Sequence, residues 1–389
     1  MQLAKILVVD DEPDLQELIR QKFRNKIKAN EYEFHFAENG VQALEKIAND
    51  GAIDLILTDI NMPVMDGLTL LSKINDLNNK LLKSVIVSAY GDMENIRTAM
   101  NRGAYDFITK PIDLKDLEIT IEKSLKEIEE YKLILSSQTK LIALQQELDI
   151  ANVIQTSILP KTFPPFPDRK EFDIYAKMIP AKEVGGDLYD FFLIDKYRLG
   201  VVIGDVSGKG IAAALLMAVC KTLLKATAYK GIPADNILSE VNNILFEESP
   251  SNMFVTVFYG VLDTRSGAFE YSNGGHNSPY LISTDGKVQP LADIGGMLLG
   301  ALKDMEYTSN VIMLKPGESL FFYTDGVTEA FNKDNEEFQD SRLEQILDNK
   351  NSLNTNDLVH HVFENVQAFA NGVEQSDDIT CLALKYFTK

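Results

Sequence analysis

Two short stretches of the chain place neighbouring carboxylates at the boundary of an apolar run. Asp10 and Asp11 follow the aliphatic residues of ILVVDDEP, and Asp377 and Asp378 precede those of DDITCLAL. Like charges repel each other, and burial beside an apolar core increases the cost. We therefore expect a positive group, such as a divalent cation, close to each pair.

Other reactive side chains follow apolar runs in the first third of the chain. Asp59 ends LILTD, Ser88 lies in SVIVSA, and Lys110 follows YDFIT. If these runs are parallel strands, their carboxyl ends meet at one edge of a sheet. Such a group could bind Mg²⁺ and use Asp59 as the nucleophile that accepts a phosphoryl group. The alternative is that the first acid pair only forms a turn or an N-cap.

A second set of acids lies in EVGGDLYDFF, IGDVSGKG, FYTDGVTEA and SDDIT, and its members are Asp187, Asp205, Asp325 and Asp377. Neighbouring glycines would let a carboxylate or a carbonyl approach a ligand closely. Any single Asp-Gly pair could instead be a turn. Four such motifs in one region could hold two cations about 3.5–4 Å apart, with a bridging water for in-line attack on phosphorus.

The spacing of neighbouring residues excludes two other kinds of site. GDVSGKG does not match a phosphate-binding loop, because Lys209 is followed by glycine rather than by serine or threonine. His276, in NGGHNSP, has no cysteine or second histidine at metal-ligand spacing nearby, so we do not expect zinc.

The elements that would position these residues fall into three segments. Residues 1–125 alternate five strand-like runs with amphipathic helices, which predicts a parallel sheet covered on both faces. Residues 165–389 group alternating strands, with helices expected at 209–229, 233–247 and 355–371 and a hairpin around Ser266-Gly267. This pattern predicts an α+β layered domain.

The intervening segment, residues 113–160, predicts a long helix that ends before Pro160. Its aliphatic residues recur every seven positions, at Leu114, Ile121, Ile128, Leu135 and Ile142. Such a seam favours a coiled coil and therefore a homodimer, although the companion positions become polar along the helix. The alternative is a single helix packed on its own protein.

Composition narrows the classes of function. Of 389 residues, 45% are hydrophobic and the net charge is −20, which argues against nucleic-acid binding. The two cysteines lie far apart in apolar runs and suggest no disulfide. The longest apolar stretch, IAAALLMAVC, is half a membrane span. We expect a cytoplasmic protein without a membrane segment.

VVDDEPD, LTDINMPVMDG, VSAY and YDFITKPI together resemble the receiver domain of two-component response regulators over residues 3–125. The resemblance implies a flavodoxin-like fold in which a histidine kinase phosphorylates Asp59. The residues that would form the Mg²⁺ site are Asp10, Asp11, Asp59 and, through its carbonyl, Asn61. Those that would contact the phosphoryl group or switch in response to it are Ser88, Lys110 and Phe107.

The C-terminal motifs, with the preceding ELDIANVIQTSILP, resemble the PPM-type (protein phosphatase 2C-like) Ser/Thr phosphatases of the SpoIIE/RsbU branch. The resemblance implies two Mn²⁺ or Mg²⁺ ions. Their ligands would be Asp187, Asp205, the Val206 carbonyl, Asp325 and Asp377, with Asp378 as a further ligand or a capping neighbour. Lys182 is the candidate for binding the substrate phosphate.

We therefore predict a receiver domain at 1–125, a helical linker at 113–160 and a phosphatase domain at 165–389. Phosphorylation of Asp59 would control dephosphorylation of a phosphoserine or phosphothreonine protein. By resemblance, that substrate is a phosphorylated anti-sigma-factor antagonist (a STAS protein) in a partner-switching pathway. The rival hypothesis is a receiver-controlled binding module with an inactive phosphatase fold that sequesters its partner.

Overall fold

The computed structural model describes residues 3–89, 92–248 and 253–388, so Tyr90 of the VSAY motif lies outside the described residues. The chain divides into two compact units, Met1–Ala143 and Leu144–Lys389.

The first unit is built on a five-stranded parallel sheet in the order β2-β1-β3-β4-β5. Its strands are β1 (Ala4–Val9), β2 (Tyr32–Ala37), β3 (Leu55–Asp59), β4 (Lys83–Ala89) and β5 (Asp106–Lys110). Its helices are α1 (Pro13–Lys22), α2 (Arg24–Lys28), α3 (Gly40–Asn49), α4 (Gly67–Asp76) and α5 (Met93–Asn101), followed by the start of α6 (Leu114–Ile158). This confirms the predicted flavodoxin-like fold.

The central strands of this sheet are apolar because both faces are covered. Ile6 and Leu7 are neighbours on β1, point to opposite faces and are both fully buried, each in a separate core. The polar residues of these strands therefore lie mainly at the strand ends. Close packing at this edge also requires Gly67, where a Cβ atom would lie 2.1 Å from the Asp59 carbonyl oxygen.

The first turns of α6 pack on the first unit. Leu117 and Ile121 lie in its core, and Ile128 is 2% exposed. Lys132 continues the contact through an ion pair of 2.6 Å with Asp54. This part of the helix therefore packs on its own protein, as in the alternative to a coiled coil. Its predicted seam residues face the first unit.

The second half of α6 is different. Of the predicted seam residues, Leu135 is 38% exposed and Ile142 is 61% exposed. Three further apolar residues, Ile134, Leu141 and Leu144, are at least half exposed. Ile134 and Leu141 are seven residues apart, and Leu144 follows three residues later. These three residues form an exposed seam, shifted by one position from the predicted seam residues Leu135 and Ile142.

The second unit contains two antiparallel sheets, in the orders β13-β10-β9-β8-β7 and β12-β11-β14-β15-β6. The strands are β6 (Phe172–Ile179), β7 (Leu188–Leu193), β8 (Arg198–Val206), β9 (Val255–Asp263), β10 (Ala268–Gly274), β11 (Tyr280–Ile282), β12 (Val288–Pro290), β13 (Ser309–Met313), β14 (Ser319–Tyr323) and β15 (Ile379–Tyr386). The helices are α7 (Ile211–Ala228), α8 (Ala234–Glu248), α9 (Asp325–Thr328), α10 (Gln339–Leu347) and α11 (Thr355–Ala370).

Three apolar layers hold this unit together. The middle layer joins the two sheets face to face, with Phe258 and Phe322 in contact at a centroid distance of 5.7 Å. The outer layers pack α7 and α8 on one sheet and α10 and α11 on the other. The predicted α+β layered domain is confirmed, and the expected hairpin turns at Gly267, which has a φ of +78°.

One helix in the described part of the chain, α7, has the length and composition of a membrane span. Of its 18-residue window, 44% is buried inside the unit. A core helix of a water-soluble domain passes the same test, and α7 contributes Ala213, Met217 and Leu224 to a buried layer.

Candidate functional site

The first acid site consists of Asp10, Asp11 and Asp59, at the carboxyl ends of β1 and β3. One carboxylate oxygen from each lies within 4.8 Å of the others. Lys110, the last residue of β5, places its Nζ atom 2.8 Å from Asp59 Oδ2 and 3.1 Å from Asp10 Oδ2. The sheet thus brings together the three carboxylates and the ammonium that the sequence placed at one edge.

One ammonium, that of Lys110, offsets part of the negative charge of this site. Burial raises the pKa of Asp10, while hydrogen bonds from the Glu12 amide and from Lys110 oppose the shift. Burial alone would lower the pKa of Lys110, but its hydrogen bonds to Asp59, Glu12 and Asp10 raise that pKa above its ordinary value. Glu12, whose Oε1 lies 3.0 Å from Lys110 Nζ, was not among the predicted site residues.

The remaining predicted residues of this region lie around the first acid site. Ser88 is buried at the end of β4, and its hydroxyl donates to Asp92 Oδ2 over 3.4 Å. The Asn61 amide donates to Asp59 Oδ1, also over 3.4 Å. Phe107 lies on β5 and is 38% exposed.

The second acid site consists of five aspartates from separate segments: Asp187, Asp205, Asp325, Asp377 and Asp378. Asp187 immediately precedes β7 and is 1% exposed. Its Oδ2 atom accepts hydrogen bonds from the hydroxyls of Thr324, at 2.8 Å, and Thr380. Burial, with the charges of Asp205 and Asp378, nevertheless raises the pKa of Asp187 well above its ordinary value.

Asp205 lies near the end of β8, opposite Thr256 of β9. Burial raises its pKa to about 7, and the charges of Asp325, Asp377 and Asp378 add to this effect. The Val206 carbonyl oxygen faces Gly186, where a Cβ atom would come within 2.7 Å of it. A glycine at position 186 therefore allows the Asp187 segment to lie against the end of β8.

Asp325 begins α9 immediately after β14, and Asp377 lies just before β15. Burial raises the pKa of Asp325, and the Asp377 charge raises it further. Lys209 Nζ lies 3.0 Å from Asp377 Oδ2 and also donates to the Ser376 carbonyl. Among the described residues, this is the one ion pair formed by any of the five aspartates.

Asp378 has a different environment from the other four. Its Oδ1 accepts from the Ala181 amide at 2.8 Å, and its Oδ2 accepts from the Gly186 amide at 2.6 Å. A Cβ atom on Gly185 would overlap this carboxylate at 2.2 Å. Asp378 therefore holds the 181–186 loop in place.

Comparisons with known proteins agree with this geometry. A family model of the response regulator receiver domain matches residues 6–122, and a model of Stage II sporulation protein E (SpoIIE) matches residues 195–387. The chain joins a receiver domain to a SpoIIE-family domain. The SpoIIE domain resembles the SiaA-PP2C domain of Pseudomonas aeruginosa, with a TM-score of 0.55 over 64% of this chain and 98% of that one. At 21% identity, this likeness establishes the fold alone.

Two curated relatives each match more than half of this chain. Protein IcfG of Synechocystis is 29% identical over 280 residues, which are 65% of this chain and 43% of IcfG. Phosphoserine phosphatase RsbU of Bacillus subtilis is 26% identical over 242 residues, 62% of this chain and 70% of RsbU. The chain therefore spans less than half the length of IcfG.

The second unit contains contacts near the second acid site that were not predicted from the sequence. Gln155, on α6, is 3% exposed and makes two hydrogen bonds to the Gly185 backbone, accepting from the amide at 3.0 Å and donating to the carbonyl. Asn152, one turn earlier, donates to the Glu183 carbonyl. The last turns of α6 thus hold the loop that leads to Asp187. The only sequence signal was the lead-in motif ELDIANVIQTSILP.

His276 is buried in the SpoIIE domain. Its Nδ1 pairs with the Thr256 hydroxyl at 2.9 Å and its Nε2 with the Tyr323 carbonyl at 3.1 Å. Burial lowers its pKa to about 4, so the ring is neutral near pH 7. Both ring nitrogens therefore form hydrogen bonds within the fold.

Among the residues described, the receiver aspartates are the one trio of acidic, histidine or cysteine groups with ligand atoms within 4.8 Å. The acids of the SpoIIE domain are therefore spread more widely. Lys182 is exposed in the loop that precedes Gly185.

Proposed function

We propose that this chain is a metal-dependent phosphatase that removes phosphate from serine or threonine of a protein, under the control of phosphorylation at Asp59. The observation that carries the proposal is the burial of Asp187 beside Asp205, which raises the pKa of both carboxyls. Burying carboxylates that repel each other costs folding free energy. Binding of cations between them would offset this cost.

The second acid site suits hard cations because its donors are all oxygens. The proposed ligands of two Mn²⁺ or Mg²⁺ ions are Asp187, Asp205, the Val206 carbonyl, Asp325 and Asp377. Bound ions would neutralise the phosphate and lower the pKa of a bound water. The chain's own contribution is to fix the donors. Thr324 and Thr380 orient the Asp187 carboxylate, and Asp378 holds the preceding loop through backbone amides.

In the receiver domain, we propose that Asp10, Asp11, Asp59 and the Asn61 carbonyl hold Mg²⁺. An Asp59 carboxylate oxygen would form a bond to phosphorus as the bond to the kinase histidine breaks, leaving neutral histidine and an acyl phosphate. Lys110 already donates to Asp59 and can donate to the incoming phosphoryl oxygens. Ser88 would contact the phosphoryl group, and Phe107 would change its exposure as Ser88 moves.

For the substrate we propose a phosphorylated anti-sigma-factor antagonist of the STAS type. The support is the similarity to RsbU, which is a phosphoserine phosphatase. The test incubates the full chain and Mn²⁺ with candidate phosphorylated STAS proteins and with p-nitrophenyl phosphate. We expect release of phosphate from a STAS partner and of p-nitrophenol. Tight partner binding without release of either product would support the rival binding module instead.

The receiver could influence hydrolysis through α6. Gln155 and Asn152 hold the loop before Asp187, so a small movement of the last turns of α6 would shift a proposed metal ligand. A coupling of about 1–3 kcal/mol would change activity roughly 5- to 150-fold.

We propose that the protein acts in the cytoplasm, where its kinase and substrate would be found.

We also propose a homodimer through α6. Because Ile121 and Ile128 are buried within one chain, the available surface is the exposed seam that includes Ile134, Leu141 and Leu144. Replacing Leu141 and Leu144 together by aspartate should give a monomer in sedimentation and remove the response to beryllofluoride.

The matched control for this double variant is Gln146→Asp, since Gln146 is exposed two residues beyond Leu144 and lies off the seam. A dimeric double variant with a normal response would exclude this helix as the dimer contact.

A further inference from the structure

Lys209 is the one described lysine or arginine that reaches an aspartate of the second acid site. Its Nζ atom pairs with Asp377 at 3.0 Å, and its positive charge partly opposes the pKa increases of Asp325 and Glu329 that burial causes. Lys182, predicted from the sequence to bind the substrate phosphate, is exposed and forms no ion pair among the described residues. Lys209 therefore contacts the second acid site, whereas Lys182 pairs with none of its described aspartates.

The loop that carries Lys209 has an unusual backbone. Gly208 and Gly210, on either side, have φ values of +88° and +83°, and a Cβ atom at either position would meet nothing within 4 Å. The loop is therefore open on the outside, and its conformation is one that favours glycine. The Lys209 side chain itself is 39% exposed, so it borders both solvent and the acids.

We propose that Lys209, rather than Lys182, binds the phosphoryl group of the substrate. This inference rests on the proposed phosphatase function. Its physical basis is competition for Asp377: a carboxylate that coordinates a cation attracts an ammonium less strongly. The Lys209 ammonium would then be available at the edge of the site, where the phosphoryl oxygens of a substrate are the next strong acceptors.

An ammonium on a flexible stem suits this role, because it can follow the phosphoryl group without a fixed fork geometry. The same property explains why one lysine can pair with Asp377 in the ligand-free chain and with phosphate later. Asp377 would remain the cation ligand throughout, and Lys209 would not itself bind the metal.

The test compares the full chain with Lys209→Met, Lys209→Arg and Lys182→Met. Lys287→Met is the matched control, because Lys287 is 83% exposed and pairs only with Asp285 on a distant hairpin. Binding of inorganic phosphate is measured by calorimetry in Mg²⁺ buffer, and inhibition of p-nitrophenyl phosphate hydrolysis by phosphate is measured in parallel. Metal binding is followed separately, as the Mg²⁺ concentration that raises the melting temperature.

We expect Lys209→Met to weaken phosphate binding and raise KM roughly 10- to 100-fold, as for loss of a charge-assisted hydrogen bond. Lys209→Arg should keep part of the affinity, and Lys182→Met and Lys287→Met should match the wild type. The Mg²⁺ midpoint of Lys209→Met should stay the same or fall, because its competitor for Asp377 is gone.

Three results would overturn the inference. The first is phosphate binding by Lys209→Met that equals that of the wild type. The second is a loss of phosphate affinity in Lys209→Met that is explained by weaker Mg²⁺ binding. The third is a loss of phosphate affinity in Lys182→Met but not in Lys209→Met. A wild-type chain that binds phosphate through Lys209 but hydrolyses no phosphoester would refute the proposed function and leave the assignment of Lys209 intact.

Discussion

The first acid site contains its own counter-charge, whereas the second keeps most of its aspartates without one. In the receiver domain, Lys110 contacts Asp10, Asp59 and Glu12 at 2.8–3.1 Å. In the SpoIIE domain, the Asp187 carboxylate accepts hydrogen bonds from the hydroxyls of Thr324 and Thr380, and Lys209 reaches only Asp377. The pKa values reflect this difference, since that of Asp205 is raised to about 7.

The two acid sites differ in how much they need a bound cation. A site with a built-in ammonium can exist before its ligand arrives and needs a cation mainly for phosphoryl transfer. A site of uncompensated acids is costly to fold without cations and should gain stability from them. We therefore expect the SpoIIE domain to depend on metal for both stability and activity.

The largest effect should come from removing a proposed ligand of the second acid site. Asp325→Asn should reduce Mn²⁺-dependent hydrolysis of p-nitrophenyl phosphate to background, because one proposed ligand loses its charge while its shape is kept. The matched control is Asp285→Asn, an exposed aspartate of the hairpin between β11 and β12, which should hydrolyse normally. Turnover of Asp325→Asn close to that of the wild type would remove Asp325 from the metal site.

The difference between the two acid sites should also appear in how stability depends on pH. In metal-free buffer, Asp187 and Asp205 hold protons in the folded state above the pH at which they lose them when unfolded. The contribution of Asp205 to the free energy of unfolding should therefore fall as pH rises from about 4 to about 7, and that of Asp187 should change in the same direction. We expect the melting temperature of the SpoIIE transition to be lower at pH 8 than at pH 5.

Asp205→Asn provides the control for this dependence. The variant should melt higher than the wild type at pH 8 without metal, and Mn²⁺ should stabilise it less. If the wild type melts equally at both pH values without metal, the burial of repelling carboxylates is not a cost to the fold.

A smaller effect is expected at the contact between α6 and the Asp187 loop. Gln155→Leu leaves the Gly185 amide and carbonyl without their partners, at a cost of about 1–3 kcal/mol for each buried group left unsatisfied. We expect a higher Mn²⁺ requirement for hydrolysis and a weaker response to beryllofluoride. Gln146→Leu, at an exposed position of the same helix, is the control. An unchanged Mn²⁺ requirement would separate Gln155 from the metal site.

The smallest effect on basal hydrolysis should come from the receiver. Asp59→Asn should abolish labelling by acetyl phosphate but leave unstimulated hydrolysis unchanged, because the two acid sites belong to separate units. Labelling is followed by mass spectrometry. Detection of an acyl phosphate on another residue of Asp59→Asn would contradict the assignment of the nucleophile.

The main elements and most of the proposed donors could be predicted from local sequence patterns. Buried strands such as LILTD read as continuous apolar runs because both faces are covered, and Asp59 stands out where the run ends. The three long helices of the SpoIIE domain were predicted to within about two residues of the observed ends. The short elements β11, β12 and α9 carry too few residues to show a period, and they were missed.

How the donors are held depends on contacts between segments that are distant in the sequence. The partners of Asp187 are Thr324 and Thr380, which lie 137 and 193 residues further along the chain, and no local pattern marks either one. Gln155 and Gly185 meet across 30 residues for the same reason. Periodicity also could not tell that Ile121 packs within its own chain while Leu141 remains exposed. Periodicity records which positions are apolar, whereas packing between distant segments decides which surface covers them.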